Sequence, residues 1–416
     1  MFLHAITLIL WLMAKPNFFI FKNTPFLALA QISGLWAATA VSLNFVLAAR
    51  LGVVNKFLGG LDKAYLLHAQ TGKIAFFYML FHLLLLLIDA LPSTKLALSY
   101  IIPFIDIAYD MGKIALSLFT LLLVLTLIIK LPYHIWRKTH QLMVLPMLFL
   151  LFHTLLITSD VSVYMPLRIW IVGIVSIGLT LYVYKMFIYP IYGPKYLYVI
   201  NKITDMRTAT EIILKPVNKK LNFEPGQFVF VQFISKKVTQ EEHPFSISSS
   251  PARNYIRLTI KKSGDFTNKL SLLEVKEKAN IYGPYGHFGQ RALTGQKPLI
   301  FIAGGIGITP FLSILTYLSE NKIDKKVTLF YSHKMGEALY KNNLKKLQNK
   351  NINIILHNSN SQGYITAEKV LKTTGYQRPL IFLCGPIGMM KSLSQQFQAL
   401  GIKEKNILFE DFNLKK

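Results

Sequence analysis

HAQTGKIAFFYMLFH, residues 68–82, begins and ends on histidine and carries a single lysine between them. The apolar run around it, residues 64–90, exceeds the ~18–20 residues with which one helix crosses a bilayer's hydrocarbon core. An ionisable side chain within such a span is costly, so two of them fourteen positions apart ask for a function. A second pair completes the pattern: His140 and His153, thirteen apart, in the run 139–158.

Further runs near 25–49, 112–131 and 167–188 also reach spanning length. Another lies within 1–21, interrupted by Lys15 and Pro16. The expectation is a helical transmembrane bundle of about six spans over residues 1–190. Composition agrees. The 416 residues are 52% hydrophobic and 16% charged, and residues 1–190 hold only five acidic groups, all Asp. A net charge of +26 raises nucleic acid as a partner, but the basic residues form no arms and no nucleic-acid motif is present. An anionic membrane surface and anionic cofactors account for the excess. One cysteine, Cys384, excludes an internal disulfide and a Cys-ligated zinc or iron–sulfur centre, and no CxxCH is present to attach haem covalently. A signal peptide's basic n-region and small-residue cleavage site are also not found.

Basic loops orient the bundle. Arg50, Lys56 and Lys63, then Lys130, Arg137 and Lys138, then Lys185 and Lys195 mark the cytoplasmic side, and Asp89, Asp106, Asp110 and Asp160 fall opposite. Lys15 and Lys22 dissent. On this reading His68 and His140 share the cytoplasmic level, and His82 and His153 the outer one, roughly 21 Å away at ~1.5 Å per residue. Two imidazoles from facing helices at each of two depths would hold two stacked bis-histidine haems, an arrangement suited to electron transfer. His4 and His134 are read as structural. A thirteen-residue step misses a common helix face by about 140°. Pro146, between His140 and His153, therefore predicts a distorted helix there.

Pro190, Gly193 and Pro194 end the last span, and the pattern changes to short alternating runs such as QFVFVQF and YIRLTIKK, expected to form an antiparallel β-barrel. From about 297, PLIFIAGGIGITP, KVTLFYSH and PLIFLCGP read as buried strands of a parallel α/β sheet. The expected domains are 1–190, 195–292 and 296–416. In the glycine loop, Gly304, Gly305 and Gly307 would let backbone amides approach a pyrophosphate, with Thr309 capping the following helix and Pro310 in its first turn.

PGQF at 225–228, HPFSISSSP at 243–251, SGDFTNKL at 263–270, GPYG at 283–286, AGGIGITP at 303–310, LCGPIGMM at 383–390 and FEDF at 409–412 occur in the order seen in one family. With these and the two histidine pairs, the chain resembles the ferric reductase and NADPH oxidase superfamily over nearly its whole length. The resemblance implies a bis-haem membrane domain, an FAD-binding barrel and an NAD(P)H-binding α/β domain of the ferredoxin–NADP reductase type. It implies that His68, His82, His140 and His153 ligate two b-type haems. In the HPFSIS motif, Phe245 would lie against the flavin, Ser246 would reach its N5 edge and His243 would sit near the ribityl phosphate, with Pro244 and Ser248 beside them. Gly264 and Thr267 would surround the FAD pyrophosphate, and the loop from Gly304 to Pro310 the nucleotide pyrophosphate. Cys384 and Gly385 would flank the nicotinamide. Phe412, with Phe409 as the alternative, would cover the flavin. Ser332 and Lys334 would meet a 2′-phosphate, favouring NADPH over NADH.

The function so implied is electron transfer from cytoplasmic NAD(P)H through FAD and two haems to a small acceptor outside, ferric iron or oxygen. The protein would be integral to a bacterial inner membrane, with the lipid bilayer as partner. Relatives that reduce oxygen carry a second histidine one turn after the outer ligand, where this chain has Leu86. That puts an oxidase-style pocket in doubt. Two other classes compete: a histidine proton relay or transporter, and a redox sensor built on a reductase-like domain.

Overall fold

The computed structural model describes residues 2–15, 23–91, 93–334 and 338–410, and the chain divides after Gly193 into two units. The N-terminal unit contains α1 (Phe2–Met13), α2 (Pro25–Ala48), α3 (Leu61–Ala90), α4 (Ile107–Leu127), α5 (Tyr133–Gln141), α6 (Val144–Leu156) and α7 (Met165–Val183). Among the described residues, five helices are long and apolar enough to span a membrane, with α5 and α6 together making one of them. The about six spans expected from sequence are thus five, plus a short first helix. The twelve residues of α1 rise only about 18 Å, well short of a ~30 Å hydrocarbon core; the rest of that expected span, residues 16–22, lies outside the described residues.

Polar groups moor α1. Thr7 Oγ1 lies 3.1 Å from Thr39 Oγ1 and accepts from Trp170 Nε1 at 2.9 Å, and Trp36 Nε1 donates to the His4 carbonyl at 3.1 Å. His4 itself sits among aromatic rings, 6.2 Å from Trp36 and 6.0 Å from Tyr78, in keeping with a structural role. The dissenting Lys15 is explained by an ion pair: its Nζ lies 2.5 Å from Asp160, which also accepts from Trp11 Nε1 at 3.1 Å. The bundle's outward side chains are apolar, as Phe77 at 69% exposure illustrates, whereas Met147, Leu167 and Ile171 are fully buried.

The expected distortion lies between α5 and α6. Pro146 has no N–H to give to the carbonyl of Leu142, four residues back, and its ring crowds that carbonyl. The helix gives way at Leu142 and Met143, where Leu142 N donates to Thr139 O, Met143 N to His140 O and Leu145 N to Leu142 O. These tighter i→i−3 links turn the chain by ~120° per residue instead of ~100°, making up part of the missing rotation between the two histidines.

The second unit carries two sheets. Strands β1 (Tyr196–Asp205), β2 (Ala209–Pro216), β3 (Phe228–Ile234), β4 (His243–Ser246), β5 (Ile256–Lys261) and β6 (Lys278–Tyr285) form an antiparallel sheet in the order β4-β3-β6-β1-β2-β5. A bridge between Ile247 and Leu258 draws its two edges together. The inward positions, among them Ile212, Leu214, Val229, Val231 and Leu258, are fully buried. After it come β7 (Leu299–Gly304), α8 (Ile308–Glu320), β8 (Val327–His333), β9 (Ile352–Asn358), β10 (Leu380–Cys384), α9 (Ile387–Ala399) and β11 (Ile407–Glu410). These strands are all parallel, in the order β11-β10-β7-β8-β9. Ser313 of α8 ties the sheets together, donating to the Ser249 carbonyl at 2.7 Å and accepting from Gly226 N. Tyr340 adds a second tie, donating to Glu211 and lying 2.7 Å from Thr259 Oγ1.

Candidate functional site

In the membrane unit the four paired histidines come from α3, α5 and α6. His68 and His140 approach with ring centroids 5.9 Å apart, and Trp136 stacks on His140 at 5.3 Å. His82 and His153 line one cavity of about 400 Å³ with Gly34, Gly112 and Leu86, and Gln31, Tyr109, Lys113 and Asp160 also border it.

Each ring is held through Nδ1. His68 Nδ1 donates to the Asn44 carbonyl at 3.1 Å, His82 Nδ1 to Ala30 O at 2.6 Å and His153 Nδ1 to Ala108 O at 2.7 Å. A carbonyl only accepts, so in these three rings Nδ1 carries the proton and Nε2 carries the lone pair. His140 differs, with Nδ1 3.3 Å from the hydroxyl of Thr126.

Two of the supporting carbonyls share a local design. A helix carbonyl points toward the residue four positions on, whose Cβ leans back over it. At that place stand Gly34, four after Ala30, and Gly112, four after Ala108. A Cβ added at Gly34 would come within 2.8 Å of His82 Nδ1, and one at Gly112 within 3.0 Å of His153 Nδ1. Glycine therefore clears the approach of imidazole to a carbonyl that already serves its own helix. These four support residues were missed from sequence; the shared Ala-x-x-x-Gly spacing was the available signal.

Among the described residues no group of three or more His, Cys, Asp or Glu could hold a metal ion. Two imidazoles alone do not complete a coordination shell. A macrocyclic cofactor that brings further donors of its own would suit such a pair, and the 5.9 Å between the rings of His68 and His140 would leave room for its metal between them.

In the second unit, β4 places His243 and Phe245 on one face and Pro244 and Ser246 on the other. His243 stacks on Phe266 at 3.9 Å and its Nε2 lies 2.9 Å from Glu241. Ser246 is buried and Phe245 half-buried. Ser248 turns into the barrel wall, where its N and Oγ both donate to the Arg257 carbonyl. Thr267 Oγ1 accepts from the N–H groups of Ser263 and Gly264 at 3.0 Å, while the missing side chain of Gly264 faces open space.

The nucleotide loops follow from topology. Strand order reverses at β7, whose neighbours β10 and β8 lie on opposite sides, and a parallel sheet binds ligands beyond the carboxyl ends of its strands at such a point. There Gly304–Gly307 leads from β7 into α8, and Cys384–Pro386 follows β10. A Cβ at Gly307 would stand 2.1 Å from the Cys384 carbonyl, so this glycine lets the two loops touch. Gly305, at φ +56, has open space where its side chain would be, and that space is available to a phosphate. Gly304 and Gly385 pack against each other and Met389.

Thr309 is not the helix cap expected from sequence. The helix starts at Ile308, one residue earlier, so Thr309 lies inside the first turn and donates to Ile306 O at 3.0 Å, with Pro310 behind it. Cys384 is fully buried in the core of the parallel sheet, with its carbonyl against Gly307. Ser332, next to last in β8, is level with Gly304 and His357, and Lys334 beyond the strand is exposed. Phe412 lies outside the described residues; Phe409, on β11 beside Leu383, is 56% exposed.

Comparison with known proteins agrees with this division. Residues 33–152 match the family described as ferric reductase-like transmembrane component, and residues 204–389 match an FAD-binding domain. Flavohemoprotein A of Dictyostelium discoideum is 25% identical over 233 residues, 51% of this chain and 58% of that protein. The sulfhydrogenase 2 gamma subunit of Pyrococcus furiosus is 35% identical over 123 residues, 30% of this chain and 41% of that one. The chain thus spans less than two thirds of these relatives. The crystal structure of a flavohemoglobin from Malassezia yamatoensis with bound FAD and heme superposes with a TM-score of 0.52 at 18% identity, covering 94% of this chain and 97% of that one, a likeness of fold. The chain is an integral membrane protein in which a ferric reductase-like transmembrane component is joined to an FAD-binding domain.

Proposed function

We propose that this chain is a transmembrane NAD(P)H-dependent oxidoreductase that carries electrons through FAD and two b-type haems to an acceptor on the far side of a bacterial inner membrane. The observation that carries the reading is the pairing of four intramembrane imidazoles, three of them locked by a backbone carbonyl at Nδ1. His68 with His140 and His82 with His153 would hold the haems through Nε2. Once bound, haem supplies a one-electron couple in a water-poor interior. The chain's own part is to fix ring orientation and to keep the path dry.

In the reductase module, Phe245 offers an aromatic face to the flavin, His243 would sit near its ribityl phosphate, and the Gly305 turn offers amides to the nucleotide phosphates. Lys334 with Ser332 supports NADPH over NADH. Ferric iron is favoured as acceptor over an oxidase-style oxygen site, because the cavity of His82 and His153 has Leu86 at the place of the second histidine expected of oxygen-reducing relatives. The basic loops support a cytoplasmic position for the reductase module.

A proton relay is disfavoured by the same bonds. A ring whose Nδ1–H is held by a helix carbonyl does not pass that proton on without leaving its place. The test is an anaerobic absorption spectrum of the purified chain with FAD, before and after NADPH. Reduced-haem bands after NADPH, discharged by ferric chelate, are expected; a chain without haem bands overturns the reading.

A further inference from the structure

The two helix pairs that carry the histidines are two versions of one arrangement. In the first, α3 brings His68 and His82, fourteen apart, and α2 answers with the carbonyls of Asn44 and Ala30, also fourteen apart. In the second, α6 brings His153 to Ala108 O of α4. Fourteen residues beyond Ala108 stands Leu122, the counterpart of Asn44. His140 does not bond the Leu122 carbonyl. Instead Thr126 Oγ1 donates to Leu122 O at 2.7 Å and lies 3.3 Å from His140 Nδ1.

The reason is positional. Thr126 is four residues after Leu122, the place held by Gly34, Gly112 and, after Asn44, Ala48 in the other three cases. Small residues leave a carbonyl open there; threonine covers it. Because His140 and His153 are one residue closer in sequence than His68 and His82, the ring is also displaced along its helix. The hydroxyl's one proton goes to Leu122, so toward His140 it acts as acceptor.

We propose that Thr126 is a positioning residue that sets the redox potential of the haem held by His140, the one ring of the four whose Nδ1 meets a hydroxyl in place of a backbone carbonyl. The inference rests on the bis-haem reading above. A hydroxyl accepts more weakly than a peptide carbonyl, so His140 is the least electron-rich of the four ligands. Removing even that acceptor lowers its basicity further, favours ferrous over ferric iron and raises that haem's potential.

The test uses the full-length chain and its Thr126→Val and Thr126→Ser variants, with haem content measured first and a redox titration of the reduced bands second. Valine matches threonine in shape but offers no acceptor; serine keeps the hydroxyl. The expected result is two haems in all three proteins, with valine shifting one of the two waves upward by about tenfold in ferrous-to-ferric ratio at fixed potential. Serine is expected to stay near the parent. Two unchanged waves in the valine variant, an equal shift of both waves, or serine moving as far as valine would overturn the role of Thr126. A parent chain with fewer than two haems would instead overturn the bis-haem reading.

Discussion

In the membrane unit the reactive atoms belong to side chains, four imidazoles, and the backbone holds them in place. The nucleotide sheet inverts this: the Gly305 turn presents backbone atoms, and the shapes of neighbouring residues, such as Gly307 against the Cys384 carbonyl, decide whether those atoms are reachable. Solvent explains the difference. In hydrocarbon a polar side chain is rare and must be satisfied locally, so each imidazole carries its own acceptor. A water-filled crevice solvates loop amides until a phosphate displaces the water. The first kind of site should fail when a ligand is removed, and the second when bulk is added.

The largest effect should come from His82→Leu, which is expected to halve the haem content while leaving FAD binding intact, measured as haem and flavin per chain. A variant that keeps both haems breaks the comparison at its root. Next, Gly34→Val and Gly112→Val, which add bulk rather than remove a ligand, should each weaken haem retention by roughly 10- to 100-fold. Equal losses would sharpen the likeness of the two helix pairs.

In the soluble unit, Gly307→Ala should raise the KM for NADPH about tenfold or more with flavin content unchanged, because its methyl overlaps a main-chain oxygen that has no flexible way out. Lys334→Ala should reduce the preference for NADPH over NADH by roughly threefold to tenfold, the scale of one exposed charge-assisted contact. Steady-state kinetics with a soluble dye as acceptor reads both without involving the membrane unit.

The smallest expected effect concerns the tie between the two sheets. Burial holds the Tyr340 phenol above its ordinary range, with Arg257 pulling the other way. A raised folded-state pKa means the contribution is complete below about pH 10, the unfolded value, and is lost as pH rises above it. Tyr340→Phe should cost about 1 kcal/mol at neutral pH and flatten the alkaline fall in stability, read by urea unfolding at pH 8 and pH 10.5.

How much of this was legible depended on which atoms did the work. The four histidines stood out because imidazole is improbable in an apolar run, and Pro146 announced the break that rearranges the helix between two of them. Ala30 and Ala108 did not stand out in that way, since a supporting carbonyl belongs to every residue type equally and only the glycine four residues on marks them. Thr126 looked like any threonine bonding back to its own helix. In the soluble unit β7, β8 and β10 were readable as dense apolar runs. The edge strands β9 and β11 were not, being polar on one side or only four residues long. The cap expected at Thr309 falls two residues earlier, at Gly307, because the turn from Gly305 to Gly307 runs into the helix without a capping side chain.

The mooring of α1 has a consequence for biogenesis. Lys15 and Asp160 are 145 residues apart, and Thr7 meets Trp170 across 163. At about 5–20 residues per second, the ribosome needs roughly 7–30 s to supply the partner of Lys15 after Lys15 itself has emerged. Through that interval the lysine waits without the carboxylate that neutralises it. Thr39 and Trp36 of α2 can hold α1 early, but its ion pair and its bond to Trp170 form only when the later helices arrive.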